Sequence, residues 1–269
     1  MKHFLITRFN LKGKKNLKGN RLFDPLSKEW LDKRVQLFSN YCLPSVKNQT
    51  NKEFIWLVCF DIDTPKAYLP VIENIKKDFK NFTPIYVDGF GGLKDKIQES
   101  IQTKITSTDD FIITTRIDND DIIHQDFIKS IQEAYKPETN TLIDLRKGYQ
   151  FIIDEKTTSL RLFTLAYNPF LSLIESADNY KTIIAEEHRY WKTLPNIIIN
   201  SNKHLWIQVV HDQNLLNRKR NYLKKVCDID HTEFGLKETF KLESRNDINK
   251  FNRRTYFNRM YYSLKKMLK

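Results

Sequence analysis

Three carboxylates lie within four consecutive residues, Asp118-Asn119-Asp120-Asp121, directly after the apolar run 111–117. That run is short, rich in residues that favour β-structure and followed by polar residues, which predicts a buried strand. Carboxylates this close repel one another unless a cation neutralises them, and hard divalent metals prefer oxygen ligands. Because residues two apart project to the same side of an extended chain, we expect Asp118 and Asp120 to hold a divalent metal together.

A second interpretation of the cluster needs no metal. The cluster can be an Asx turn in which Asp121 caps the next helix, whose apolar positions include Phe127, Ile128 and Ile131. The four residues alone leave both interpretations open. Ligands of open α/β sheets bind beyond the carboxyl ends of the strands, so the elements around the cluster bear on the choice.

Strands and helices alternate through the first half of the chain. Apolar runs predict strands at 4–6, 54–60, 84–87 and 111–117, and apolar residues at helical spacing predict helices at about 30–43, 68–79 and 93–105. The first helix is expected to break near Pro44. This alternation is typical of a mostly parallel sheet with helices on both faces. After about residue 140 the pattern changes to successive strands, at 141–145, 149–154, 159–163, 196–200 and 205–210.

The composition limits the classes of function. The 269 residues carry a formal charge of +12, which favours anionic partners such as nucleotides, phosphates, nucleic acid or anionic lipid without choosing among them. Neither GxxxxGK[ST] nor GxGxxG is present, so the two common phosphate-binding loops are excluded. The three cysteines form no CxxC pair, which argues against a structural zinc site or a disulfide framework and favours a reducing setting. With no signal peptide and no apolar segment of membrane-spanning length, we expect a cytoplasmic protein.

Several segments in order resemble nucleotide-sugar glycosyltransferases with the GT-A fold. The segment 41–61, from Tyr41-Cys42-Leu43-Pro44-Ser45-Val46 to the strand ending in Asp61, is similar to the opening of family 2 enzymes, and 93–121 is similar to their helix, strand and Asp-x-Asp-Asp segment. The narrower resemblance, over about residues 1–220, is to the family named putative rhamnosyltransferases. It is carried by the segments His3-Phe4-Leu5-Ile6-Thr7-Arg8-Phe9-Asn10, Trp30 to Phe38 with Arg34, Leu43-Pro44-Ser45, Thr115 to Asp121 and Trp206-Ile207-Gln208-Val209-Val210-His211.

This resemblance implies an α/β fold of the GT-A (Rossmann-like) type: a mostly parallel central sheet flanked by helices, with a C-terminal helical extension. It implies a domain at 1–220 and a basic helical extension at 221–269. The implied activity is a metal-dependent, inverting transfer of a sugar, rhamnose by the family's name, from a nucleotide-diphosphate donor to a saccharide acceptor. The implied setting is the assembly of bacterial surface polysaccharide.

The resemblance also implies roles for individual residues. Asp118, Asp120 and the strand-end His211 would hold Mn²⁺ or Mg²⁺ on the donor's diphosphate. The set expected to bind the nucleotide sugar is Thr7, Arg8, Phe9, Asp61, Lys96, Arg116 and Asn119. Simpler interpretations exist for several of these residues: Asp61 can belong to an ordinary turn, Lys96 to a charged helix face, and His211 to the structural core. Arg8 and Arg116 can pair with the acidic cluster instead of with phosphate, or can be solvated charges at strand ends.

Glu186 and Glu187 are the candidate catalytic base. An inverting transfer needs a group that takes the proton of the attacking hydroxyl. The resemblance places an acidic pair at this point, with Glu187 preferred, although the family more often has Asp there. The alternative is that both are first-turn carboxylates favoured by a helix dipole.

The last 22 residues contain seven Lys and Arg side chains and no acidic residue. Aromatic residues and leucines alternate with them, which predicts a basic amphipathic helix over 248–269. Such a helix favours peripheral contact with an anionic membrane surface at the inner face of the cytoplasmic membrane, where a lipid-linked acceptor would be found. Packing of its apolar side on the domain is the alternative.

Three other classes of function remain open at this point, and one of them is a sugar-binding scaffold that keeps the fold without catalysis. The charge and the aromatic content would suit a nucleic-acid-binding protein, but no matching motif is present and no nucleic acid is expected. The aspartate cluster would also suit a metal-dependent phosphohydrolase.

Overall fold

The fold is taken from a computed structural model that describes residues 1–13, 24–153, 158–212, 214, 217–237, 240–256 and 260–261. The strands of the described residues are β1 (Lys2–Arg8), β2 (Ile55–Asp61), β3 (Phe82–Val87), β4 (Phe111–Arg116), β5 (Ile122–Ile123), β6 (Thr141–Leu145), β7 (Lys147–Ile153), β8 (Thr158–Thr164), β9 (Ser172–Ser176), β10 (Asn196–Asn200), β11 (Trp206–Val210) and β12 (Lys225–Val226). The α-helices are α1 (Lys28–Leu37), α2 (Leu43–Lys47), α3 (Leu69–Asp78), α4 (Leu93–Gln102), α5 (Phe127–Glu133) and α6 (Arg245–Arg254).

A seven-stranded sheet forms the centre, in the order β10-β6-β9-β4-β1-β2-β3. Among these described strands, β9 alone runs opposite to its neighbours β4 and β6, and the other six are parallel. In β1, which lies between β4 and β2, Phe4 lies beside Ile55 of β2 and beside Thr114 of β4. The carboxyl ends of β1, β2 and β4 therefore meet at one edge of the sheet, where the aspartate cluster follows β4.

The two faces of this sheet carry separate apolar cores. Leu5 and Trp56 point to the face covered by α1, α3 and α5, whereas Phe4 and Leu57 point to the face covered by α4. This alternation follows from the two-residue period of a strand. Strands buried on both sides read as continuous apolar runs, as the sequence indicated. The prediction of a mostly parallel sheet flanked by helices is confirmed.

The predicted helix break near Pro44 is wrong. The chain continues from α1 through a π-helical turn at Phe38–Cys42 into α2, which ends at Lys47. Pro44 directly follows the π-helical turn and lies inside this continuous helical stretch, where it cannot donate a helical hydrogen bond. The stretch nevertheless continues past the proline and ends at Lys47.

The sequence did not predict β9. Its central position is unusual for a segment that contains Ser172 and Glu175, yet both side chains are buried. The Glu175 carboxylate accepts hydrogen bonds from the backbone N–H groups of Lys181 and Thr182, at 2.8 and 2.9 Å. Buried polar side chains of this kind hide a strand from a search for apolar runs.

A second, five-stranded sheet has the order β12-β8-β7-β11-β5. β5, which comes first in this sheet along the chain, follows the aspartate cluster directly and pairs antiparallel with β11. Asp121 accepts a hydrogen bond from the backbone N–H of Val209 in β11, at 2.8 Å, and α5 begins later, after Asp126. Asp121 is therefore not a helix cap, and it joins the two sheets instead.

The described part of the C-terminal extension packs on the second sheet. The Phe251 ring of α6 lies 5.1 Å from the Arg161 guanidinium and 4.2 Å from the Lys225 ammonium, and Ile248 is buried. Tyr256, Met260 and Tyr261 are exposed. Of the predicted helix over 248–269, α6 reaches Arg254 and residues 260–261 are helical, whereas 257–259 and 262–269 lie outside the described residues. The boundary at residue 220 stays a prediction.

Across the parts of the chain that the structure describes, no helix is long and apolar enough to cross a membrane.

Candidate active site

The aspartate cluster lies in a tight turn at the carboxyl edge of the central sheet. The Ile117 backbone N–H donates to the carbonyl of Ile6 in β1, and the Asp121 N–H donates to the carbonyl of Asp118, both at 3.1 Å. The turn is therefore fixed to the central strand at its start and closed on itself at its end. Side chains from β1, α1, β4 and the segment after β11 reach it, as the next contacts show.

Asp118 is held by two arginines that end neighbouring parallel strands. Arg116 of β4 donates through Nη2 to both carboxylate oxygens, at 2.9 and 3.1 Å, and Arg8 of β1 donates through its own Nη2 at 3.3 Å. Burial works against ionisation of Asp118, but the two guanidinium charges outweigh it and lower the pKa of the carboxyl group. Asp118 is therefore ionised and paired.

Asp120 lies deeper and has a different set of partners. Its Oδ2 accepts hydrogen bonds from Arg34 Nη1 at 2.8 Å and from Asn214 Nδ2 at 3.1 Å, and it lies 2.8 Å from His211 Nε2. The Asn214 Oδ1 accepts from the His211 backbone N–H at 2.5 Å, which fixes the strand-end turn that carries the histidine. The structure therefore brings Asp120 and His211 together, as the metal interpretation requires.

Asn119 connects the cluster to β1. Its Nδ2 donates to the backbone carbonyls of Phe9 at 2.7 Å and Arg8 at 3.2 Å, and its Oδ1 accepts from Arg34 Nη1 at 2.9 Å. The amide is thus used to hold the turn and the end of the first strand together. Its predicted role in binding the donor stays a prediction.

Arg34 is the site residue to which the sequence analysis assigned no role. It lies on the buried side of α1 with Trp30 and Leu31, and its guanidinium stacks 4.8 Å from the Trp30 ring. Within the described residues, its Nε finds no hydrogen-bond acceptor. The signal in the sequence was the spacing of Arg34. It comes four residues after Trp30 and three after Leu31, so it lies on the same buried face of the helix, where a guanidinium needs an acidic partner.

Asp121 differs from Asp118 in its electrostatic surroundings. Burial, with the charges of Asp120 and Asp118 adding to it, raises the pKa of the Asp121 carboxyl well above its usual range. Its surroundings therefore favour the neutral carboxyl more than those of Asp118 do. The guanidinium groups of Arg8, Arg34 and Arg116 donate to the side chains of Asp118 and Asp120.

The structure places Asp61 at the same edge but in a closed arrangement. Its Oδ1 accepts from the backbone N–H of Asp63 and its Oδ2 from that of Lys12, both at 3.0 Å, while Lys12 Nζ lies 3.4 Å from Oδ1. These contacts form the ordinary strand-end turn that was the alternative for Asp61. Most of the basic loop after Lys12, residues 14–21, lies outside the described residues.

The side chains of three other predicted donor-site residues lie away from the cluster's polar contacts. The buried Thr7 hydroxyl accepts from Trp56 Nε1 at 2.9 Å, and the Phe9 ring packs against Phe38. Lys96 is on α4 and pairs with Glu99 at 2.7 Å, as expected of a charged helix face. Their roles in donor binding stay predictions.

Glu186 and Glu187 are exposed at the tip of a loop between two short 3₁₀ helices, Ile183–Ala185 and His188–Thr193. The backbone N–H of Ile183 donates to the hydroxyl of Thr114 in β4, at 2.8 Å, and Trp191 Nε1 returns to the Ile183 carbonyl at 3.3 Å. Glu187 precedes the second 3₁₀ helix, so the expected first turn of an α-helix is not formed.

The tip of this loop is directed to the carboxyl edge of the sheet. His188 Nδ1 lies 2.5 Å from the carbonyl of Tyr167, in the segment that leads to Leu171, and the Leu171 carbonyl accepts from the backbone N–H of Arg116 at 3.2 Å. The chain thus runs from beside Thr114, in the middle of β4, toward the end of the strand where the cluster lies. This direction is compatible with a base at the glutamate pair.

Asp144 and Asp178 are two other carboxylates in this half of the chain. Asp144 is buried, and it accepts from Asn168 Nδ2 and Arg146 Nε, each at 2.8 Å. Asp178 bonds to Ser176, which lies beside Phe111 at the opposite end of β4. Asp144 is therefore enclosed by its own partners, and Asp178 lies at the edge of the sheet away from the cluster.

The donor types of Asp118, Asp120 and His211 fit Mn²⁺ or Mg²⁺, since carboxylate oxygens suit both cations and imidazole suits Mn²⁺. The contact between Asp120 and His211 fits as well. Asp118 faces its arginines, and across the described ranges no three His, Cys, Asp or Glu side chains converge on one point. The donor types of a cation site are therefore present, but each of the three side chains has other partners in this structure, and the cation site stays a prediction.

The sequence model of the family described as putative rhamnosyl transferase matches residues 2–222. The chain belongs to this family. The match covers the cluster, its three arginines, the glutamate pair and His211, and the resemblance stated from the sequence is thereby confirmed. A search of curated proteins found no match.

Three solved structures are similar over most of this chain at low sequence identity. The S. aureus TarS fragment 1–349 has a TM-score of 0.47 and 13% identity, over 78% of this chain and 60% of that one. The same fragment in complex with UDP-GlcNAc has a TM-score of 0.49 and 13% identity, over 80% and 60%. A putative nucleotide-diphospho-sugar transferase from Desulfovibrio desulfuricans G20 has a TM-score of 0.35 and 10% identity, over 78% and 82%. The chain thus spans about 60% of the TarS fragment.

Proposed function

We propose that this chain is a glycosyltransferase that moves a sugar from a nucleotide-diphosphate donor to a saccharide acceptor, with inversion at the anomeric carbon. The observation that carries the proposal is the convergence of Arg8, Arg116, Asp118, Asp120 and His211 at the carboxyl edge of a mostly parallel sheet, in a chain of this family. That edge is where open α/β sheets bind ligands. Guanidinium groups are suited to diphosphates because their N–H groups match phosphate oxygens in pairs.

A divalent cation is part of this proposal. Asp118, Asp120 and His211 would hold Mn²⁺ or Mg²⁺, which when bound neutralises the charge that builds on the departing diphosphate. Arg34 and Asn214 keep Asp120 in place through the contacts described above. Arg8 and Arg116 supply positive charge beside the same phosphates.

The transfer itself requires a base for the acceptor. The oxygen of an acceptor hydroxyl attacks the anomeric carbon, the bond from that carbon to the diphosphate oxygen breaks, and the hydroxyl proton passes to a carboxylate. We assign that carboxylate to Glu187, with Glu186 beside it. The exposed position of both side chains suits contact with an incoming acceptor.

The sugar and the setting are finer parts of the proposal. The family's description supports rhamnose as the sugar. We also propose surface polysaccharide as the product. We further propose a cytoplasmic enzyme that touches the inner face of the cytoplasmic membrane through the basic residues after α6. The net charge of +12 suits such a surface.

A binding screen tests the donor class. The full chain is heated with UDP, dTDP, GDP and the corresponding sugars, including dTDP-rhamnose, with and without Mn²⁺. A ligand at 100 times its Kd stabilises the folded state by about 2.7 kcal/mol, which is a shift of several degrees for a chain of this size. A transfer assay then follows release of the nucleoside diphosphate.

The matched variants for this screen are Asp118→Asn, at the site, and Arg245→Gln, at an exposed position of α6. We expect a nucleotide- and Mn²⁺-dependent shift in the wild type and in Arg245→Gln, and its loss in Asp118→Asn. Absence of any nucleotide shift in the wild type would contradict the proposal. Release of inorganic phosphate from phosphoesters, without need of a sugar acceptor, would favour a phosphohydrolase.

A further inference from the structure

The site has a buried half and an open half. In the buried half, the side chains of Arg34, Asp120 and His211 are 8%, 5% and 4% exposed. In the open half, Arg8 and Asp118 are 29% and 30% exposed. The difference matters because only the open half can change its partners without disturbing the core.

The open half holds two cations on one anion. Arg8 and Arg116 both donate to Asp118, and the Arg8 guanidinium also lies 5.7 Å from the centre of the Phe90 ring, which is exposed. Among the described residues, these two guanidinium groups share a single carboxylate, so the group of three side chains is positively charged.

The same contacts oppose cation binding. Arg116 occupies both oxygens of Asp118 and Arg8 occupies one of them again, so the lone pairs that a metal would use accept hydrogen bonds instead. The positive charges beside them repel a divalent ion as well. A diphosphate would relieve both problems, because its oxygens can accept the hydrogen bonds that the arginines now give to Asp118.

We propose that Arg8 and Arg116 are exchange residues: they hold Asp118 in the donor-free enzyme and transfer to the diphosphate when it binds, which releases Asp118 to the cation. This inference rests on the proposed function. Its consequence is that diphosphate and cation bind cooperatively, each weakly without the other. Coupling of this kind is reciprocal and commonly amounts to 5–150-fold in affinity.

The exchange predicts opposite effects of one substitution on two ligands. Arg116→Gln removes a competitor for Asp118 and one positive charge, so affinity for Mn²⁺ alone should rise about fivefold or more. The same change removes a phosphate ligand, so affinity for pyrophosphate in the presence of a chelator should fall by a similar factor. A residue with a purely structural role would lower both affinities.

Titration calorimetry on the full chain measures the three cases: Mn²⁺ alone, pyrophosphate with chelator, and the preformed Mn²⁺–pyrophosphate complex. The variants are Arg116→Gln and Arg8→Gln, with Arg245→Gln as the control for the loss of one surface arginine charge. We expect the opposite shifts in both site variants and none in the control. If Arg116→Gln does not fold, Arg8→Gln at its more exposed position carries the same test.

The outcomes separate the two proposals. If the wild type binds pyrophosphate neither alone nor with Mn²⁺, the nucleotide-sugar function itself is contradicted. If the wild type binds the Mn²⁺ complex but both affinities move in the same direction in the variants, or Mn²⁺ alone binds as tightly as it does with pyrophosphate, the exchange is overturned and the function stands.

Discussion

Replacing Arg34 with methionine tests how much the buried guanidinium contributes to the site. Its Nη1 donates to both Asn119 and Asp120, at 2.9 and 2.8 Å, and the side chains of Arg34 and Asp120 are almost completely buried. Methionine keeps much of the apolar stem and its packing on Trp30 but removes the charge and the donors. The substitution therefore isolates the polar contribution.

The magnitude follows from the contacts that are lost. Breaking a buried ion pair by removing one partner costs about 3–5 kcal/mol, because the other charge is left buried without compensation. Asp120 keeps Asn214 and His211 as neighbours, which places the expected loss near the lower end, about 3 kcal/mol. Asn119 also loses the hydrogen-bond donor to its Oδ1, so the turn should bind the nucleotide-sugar donor less well.

Urea unfolding of the single variants and the double variant Arg34→Met/Asp120→Asn measures this loss. Neutralising Asp120 removes the uncompensated charge, so the double variant should be less destabilised than the sum of the two single variants, by about 1.5–3 kcal/mol. Arg34→Lys should fall between wild type and Arg34→Met, since an ammonium keeps the charge but not the planar geometry. A loss below about 0.5 kcal/mol in Arg34→Met, or additive single effects, would refute the reasoning.

Four further predictions concern separate parts of the molecule. Glu187→Gln should keep nucleotide-sugar binding in calorimetry but lower the transfer rate by roughly two to four orders of magnitude, the usual contribution of a general base; full activity would place the base elsewhere. Burial lowers the pKa of His3 to about 3, so the unfolded chain takes up a proton below pH 6.5 that the folded chain refuses. Stability should consequently fall by about 2 kcal/mol between pH 7 and pH 5 in urea unfolding, and His3→Gln should lose that part of the pH dependence. Gly148→Ala should cost about 1–3 kcal/mol in the same assay, because its Cβ would lie 2.2 Å from the Trp206 ring, whereas Gly91→Ala, with nothing within 4 Å, serves as the near-neutral control. A chain that ends at Tyr256 keeps the packing of α6, so its melting temperature should not change while its sedimentation with anionic vesicles at low salt is lost; unchanged sedimentation would contradict the membrane contact.

The sequence predicted most of the central sheet because most of its strands are single uninterrupted runs of mainly apolar residues. The run 54–60 is apolar at every position, and 111–117 is apolar apart from Thr114, Thr115 and Arg116, a pattern typical of strands covered on both faces. The helices between these runs show their own period. The order of these elements then places Arg8, Asp61 and Asp118 at one edge. The fold class and the position of the aspartate cluster were therefore predictable without coordinates.

Strands that bury polar side chains could not be predicted from apolar runs. β9 is central, yet Ser172 and Glu175 interrupt its apolar pattern, and their burial depends on partners that lie elsewhere in the chain. Pro44 by itself predicts the end of a helix. In the structure the helical chain continues past it, from the π-helical turn at Phe38–Cys42 to Lys47. Local preference fails at such positions because the deciding contacts are not local.

The partners of the aspartates were decided by the tertiary structure alone. Asp118 and Asp120 are two residues apart and chemically identical, but β1 and β4 bring two arginines to the first, while α1 and the end of β11 bring Arg34 and His211 to the second. A sequence shows that carboxylates close together need a positive charge. It does not show whether that charge is a metal or a guanidinium 86 residues away, because the distance between the two groups exists only once the sheet has formed.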